Sequence, residues 1–138
     1  MKTLTRLLAG QALNWAVAQA LQLPVEISPT GRVAFDATKH RVAGMNRCDD
    51  TQWHLFDPCQ NWAYAGPILE RELISPAYEP SQLFDDSCRF KALCSMSHAP
   101  QQFGSTMLEA AMRCFVAHKL GDSVEIPEAL MAKEAACS

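Results

Sequence analysis

Cys114 and His118 stand four residues apart, the interval that brings two side chains together on a helix. A nucleophilic cysteine needs its thiolate favoured, by a helix N-terminus or a neighbouring cation. This pair falls in the C-terminal half of its helical segment, where the helix dipole opposes an anion. The pattern reads as helix-edge packing. Cys48, His54 and Cys59, with Asp49, Asp50 and Asp57 close by, form a looser cluster. Zinc sites use tight paired spacings, which this cluster lacks. The acidic trio has none of the glycine-punctuated ligand loop that calcium prefers. The expectation is no metal site and no cofactor. An enzyme acting on nucleotides or nucleic acid would have to draw its acid-base groups from Asp49, Asp50, Asp57 or His54, and their spacing does not ask for that. The sequence holds no phosphate-cradling glycine loop, no nucleophile elbow and no His-Glu-x-x-His.

The segment "NWAYAGPILER" offers different chemistry. Trp62 lies close to Gly66 and Pro67, and Glu70 and Arg71 follow on a helix start. An indole beside exposed backbone amides and a guanidinium suits a nucleotide or another planar anion. Arg113 from the last helix, with Asn14 and Trp15 from the first, completes the candidate ligand-binding set. The competing reading is that Trp62 plugs the core where a loop rejoins it, while Arg71 pairs with Glu70 or Glu72.

Several elements must position these residues. Leu4, Leu8, Ala12, Trp15, Ala16 and Ala20 recur at three- and four-residue steps, which predicts a helix from about Thr5 to Leu21. Pro24 stops it and "VEI" follows as a short extended segment. Residues 28–61 are punctuated by Pro29, Gly31, Gly44, Asp49, Asp50 and Pro58 and read mostly as a long irregular loop, with "GRVAF" a possible strand. Loops of that length tend to carry function. "GPILERELI" predicts a short helix with Pro67 at its first position, closed by Pro76 and Pro80. "CRFKALCSM" alternates as a strand, with Cys88, Phe90, Ala92, Cys94 and Met96 on one side and Arg89, Lys91 and Ser95 on the other; Leu93 is its one misfit. Thr106 and Glu109 form a capping box for a final helix that ends at Gly121. Residues 127–133 read as a short terminal helix, and the chain frays after about 133.

The 138 residues are 49% hydrophobic, which fits a single domain burying roughly two-thirds of its unfolded surface. Twelve basic and 15 acidic side chains give a net charge of −3 with no run of Lys or Arg. Duplex nucleic acid and anionic lipid are therefore poor partners. No apolar stretch reaches a membrane span, and Gln11, Asn14 and Gln19 interrupt the N-terminal segment in a way that suits an amphipathic helix better than a secretory core. A cytosolic protein follows, with its six cysteines reduced.

One phrase recurs. Residues 12–27 align without a gap on 111–126, with identities at Ala12/Ala111, Val17/Val116, Ala18/Ala117, Leu21/Leu120 and the three residues of "VEI". Duplication and convergence of two helix-stop-strand units both account for it. Either way the phrase is scaffolding.

Three stretches, "ALNWAVAQAL", "NWAYAGPILERE" and "EAAMRCFVAHKLGDSVEIPEAL", together resemble the NinX-like family of small bacteriophage proteins. Asn14, Ala65 before Gly66, and "FGSTML" depart from the family's pattern. The resemblance implies a phage-encoded protein acting in the host cytoplasm and supplies no activity. The expected architecture is α+β, a small, mainly antiparallel sheet packed with two long helices and one short helix. So small a sheet leaves edges, and a homodimer would cover one. The expected function is a non-enzymatic accessory protein that binds a host macromolecule to modulate a host pathway or defence. The alternatives are a binder or sponge for a small nucleotide signal, and an enzyme.

Overall fold

The computed structural model describes residues 2–36, 53–78, 89–95 and 101–130. Cys48, Asp49, Asp50, Pro80, Cys88, Met96 and the residues after 130 lie outside them. The described residues form helices α1 (Gly10–Leu21), α2 (Trp62–Glu72) and α3 (Met107–Leu120), packed with short strands in three antiparallel sheets. β1 (Lys2–Leu4) pairs with β8 (Ser123–Glu125). β2 (Glu26–Ile27), β3 (Val33–Asp36) and β4 (Trp53–Leu55) make a second sheet. β5 (Ile74–Tyr78), β6 (Phe90–Cys94) and β7 (Gln102–Gly104) make the third. The architecture is α+β, as the residue pattern implied.

α3 is the centre of the molecule. It lies across all three strands of the third sheet and packs against α1 and α2. Its core face carries Leu108, Ala111, Met112, Phe115 and Val116, all buried, and meets Leu13, Ala16 and Val17 of α1. Burying a Leu, Val or Phe side chain contributes about 1.5–3 kcal/mol each, so this seam is a large contributor to stability. The predicted capping box is present with a shifted partner. The Thr106 hydroxyl accepts from the Glu109 amide at 3.0 Å, while the Glu109 carboxylate accepts from the Ser105 amide at 3.1 Å.

Four sequence expectations need correction. The first helix does not begin at Thr5. Residues 5–7 form a 3-10 turn and the chain re-enters helix at Gly10, whose φ of +55° glycine tolerates at no steric cost. The cause is non-local. Thr5, fully buried, donates its hydroxyl to the Gly121 carbonyl at 2.6 Å and its amide to the Asp122 carbonyl at 2.7 Å, which pulls residues 2–4 onto β8. Second, α2 starts five residues before Pro67, because the Asn61 side chain accepts from the Ala63 amide at 2.9 Å and caps the helix there. Pro67 is thus an interior proline. Third, Pro76 does not close a unit but lies inside strand β5. Fourth, the stretch expected mostly as loop holds β4, which was not foreseen, beside the possible strand "GRVAF", which is present as β3 and buried at every residue.

The misfit Leu93 has a simple explanation. Ala92 and Cys94 face α3 and are buried, whereas Leu93 points to the opposite side of the sheet and is exposed. The recurring phrase proves architectural in both copies. Val17, Ala18, Val116 and Ala117 are buried, and Gln22 and Gly121, at equivalent positions, both take a positive φ that ends the helix. The two strands that follow find different partners, β2 on β3 and β8 on β1.

Candidate functional site

Of the residues singled out for a ligand, the structure gathers four. Counting 100° per residue, Trp62, Gly66, Pro67 and Glu70 fall on one stripe of α2, opposite the buried side formed by Ala65, Ile68 and Glu72. Trp62 is 51% exposed, so it does not plug the core. A side chain added at Gly66 would meet nothing within 4 Å. The stripe, with Ala63 beside it, is a convex surface with an indole at one end and small or rigid residues beyond it.

The remaining candidates are elsewhere. Arg71 is nine residues from Trp62, about 13 Å along the axis and half a turn round it, and its guanidinium lies 3.4 Å from the Glu72 carboxylate. Arg113 is committed to the scaffold. Its Nε donates to the Leu8 carbonyl and its Nη1 to the Phe103 carbonyl, both at 2.6 Å, and Nη2 lies 3.2 Å from Glu109. Asn14 is buried and accepts from the Cys59 amide at 3.2 Å, tying α1 to the turn before α2. Trp15 packs against the core. Trp62, Arg71 and Arg113 therefore do not converge on one point.

The structure also assembles a group that sequence spacing did not reveal. Glu72, the last residue of α2, is buried and lies beside three basic side chains. His118 Nε2 lies at 3.6 Å, Lys119 Nζ at 3.3 Å and Arg71 Nε at 3.4 Å. The Glu72 carbonyl accepts from the Cys94 thiol at 3.2 Å. The signal was available, because Ala65, Ile68 and Glu72 follow a three-and-four spacing that puts a carboxylate on an apolar face. Cys114 lies one turn before His118 on α3, so a thiol, an imidazole and a carboxylate occupy one region. They do not make a nucleophile. Cys114 is 1% exposed, and burial together with the neighbouring Cys94 pushes its thiol up to about 11. An activated cysteine requires the opposite shift. The cluster fastens the ends of α2 and α3 to each other.

His54 and Asp57 are the described members of the acid-base group. His54 lies on β4 opposite Phe35. Asp57 sits near Tyr64, whose phenol is raised above its ordinary range first by burial and then by that carboxylate. Tyr64 in turn packs edge-on against Phe56, with ring centres 5.1 Å apart, and donates its hydroxyl to the Leu55 carbonyl at 3.0 Å. Among the described residues, no group of three or more His, Cys, Asp or Glu is placed to hold a metal ion, and no helix is long and apolar enough to cross a membrane.

The family model described as "Bacteriophage P22, NinX" matches residues 7–119, a span that takes in α1, α2, the sheet beneath α3 and nearly all of α3. No curated protein matches the sequence.

Proposed function

The chain belongs to the NinX family of bacteriophage proteins, and from that premise we propose that it is a phage accessory protein that binds a host protein in the host cytoplasm and so modulates a host pathway or defence. The observation that carries this reading is the exposed stripe of α2. A half-exposed tryptophan costs solvation unless a partner covers it, and tryptophan is among the residues most enriched at the energetic centres of interfaces. Ala63, Gly66 and Pro67 beside it give a partner close access to the helix. Glu70 supplies charge at the rim, where it sets orientation more than affinity.

The chemistry elsewhere supports binding over catalysis. Arg113 and Asn14 are spent on the scaffold, Glu72 on joining two helices, and Cys114 holds its proton tightly. A nucleotide binder would need Trp62, Arg71 and Arg113 on one site, and their separation removes that reading's support.

The test is capture from host lysate with the wild-type chain, Trp62→Ala and Leu93→Ser. A specific partner is expected to be retained by wild type and by Leu93→Ser, whose substitution lies on the outward face of the third sheet, and lost by Trp62→Ala. Equal capture by wild type and Trp62→Ala would refute the proposed surface. A bound nucleotide released from the purified protein would favour the small-molecule reading instead.

A further inference from the structure

Among the described residues β4, β5 and β7 lie at sheet edges, and hydrogen-bond parity shows what they present outward. In an antiparallel ladder, residues alternate between bonding the neighbouring strand and pointing away from it. The Phe56 amide donates to the Val33 carbonyl at 3.0 Å, which fixes Phe35 and His54 as a bonded pair, so Leu55 turns its amide and carbonyl away from β3. That outward carbonyl is the one the Tyr64 hydroxyl occupies. In the third sheet, the Ser95 amide donates to the Leu73 carbonyl at 3.2 Å, so Ser75 and Ala77 bond β6 while Ile74, Pro76 and Tyr78 point outward. The middle of that outward row is a proline, which has no N–H to offer. The same parity directs even-numbered residues of β6 to β7, so Phe103 turns away from β6. Its carbonyl is taken by Arg113.

Edge strands expose rows of donors and acceptors that another strand can complete, and proteins suppress this with prolines, charges and coverings. We propose that Tyr64, Pro76 and Arg113 are edge guards, and that the interaction surface they conceal is one for a second copy of this chain. The carbonyls of Leu55 and Phe103 and the outward row of β5 would otherwise template antiparallel pairing between like strands. Arg113, which sequence spacing suggested for a ligand, acts here as a lock.

The test compares wild type with Tyr64→Phe, Pro76→Thr and the double variant by sedimentation across a hundredfold concentration range, with amide hydrogen exchange on the same samples. Tyr64→Phe keeps the ring against Phe56 and removes only the hydroxyl. Pro76→Thr restores an outward N–H. The expected result is a wild-type mass constant with concentration. The variants should instead gain mass, with self-association at least tenfold tighter in the double variant, and slowed exchange confined to β4 and β5. Folded variants whose mass tracks wild type at every concentration would overturn the proposal. Self-association of the wild type with protection on those same strands would overturn it equally. If Arg113→Met is added and fails to fold, the two milder variants still decide the matter.

Discussion

Cys114 and Glu72 show how a residue's role follows from its surroundings more than its type. The Cys114 thiol titrates near about 11 when folded, against 9.0 in its ordinary state. Over that interval the folded chain keeps a proton that the unfolded chain releases. Stability from this group is therefore complete below about pH 9 and declines as pH climbs toward about 11, by at most about 2–3 kcal/mol. Urea unfolding of wild type and Cys114→Ala across that range should show the alkaline loss reduced in the variant. Parallel curves would contradict the assignment. Glu72→Gln tests the helix clamp. Arg71 and Lys119 reach the carboxylate from solvent, so the substitution should cost only about 1 kcal/mol, and less in high salt. A cost independent of salt would mean that packing, not charge, holds the two helix ends. The pairing of Arg71 with Glu72 could be read from the sequence, whereas Arg113 and Asn14 were conspicuous for their chemistry yet touch Leu8, Phe103 and Cys59, residues distant or unremarkable in the chain. Spacing along a helix gives neighbours on that helix alone.

At the scale of elements, α2 carries an internal weakness. Gly66 and Pro67 are adjacent in its middle, one entropically costly and the other unable to donate to the Ala63 carbonyl. Space at Gly66 is open apart from its chain neighbours, but a Cβ there would crowd the Pro67 ring in helical backbone. Gly66→Ala should therefore gain less than the about 0.5–1 kcal/mol of an ordinary helix interior, read from the midpoint of thermal or urea unfolding. A full gain would show that Pro67 imposes no restriction there. Gly104 is the opposite case. A Cβ there would lie 2.7 Å from the Ala110 amide nitrogen, a backbone atom at the start of α3. Gly104→Ala should cost about 1–3 kcal/mol by forcing β7 off the helix, and a neutral effect would contradict the packing described. The amphipathic stripe and capping box of α3, its stop at Gly121 and the alternation of β6 were legible, because each is set by local periodicity or a cap. The breaks were not. The N-terminal strand exists because Thr5 finds Gly121 and Asp122 across the whole chain, and β4 exists because β3 needs a partner. Asn61 overrode Gly66-Pro67 as the start of α2 because a satisfied cap five residues earlier makes more of the segment helical.

Among the described residues, Asn14, Glu72 and Arg113 are turned inward to fasten helices, a turn and a sheet edge, while Trp62 on α2 and Tyr78 on β5 are left exposed. Membership of the NinX family places the chain among phage proteins, and on the proposed reading it works through the exposed stripe of α2 while guarded sheet edges keep like strands apart. The most direct measurement places a photo-crosslinking amino acid at Glu70, on the exposed stripe, and in a second protein at Leu93, on the outward face of the third sheet. Both are irradiated inside the host cell. The account predicts a discrete crosslinked host protein from position 70 and none from position 93. Crosslinking from position 93 alone, or from neither position, would contradict it.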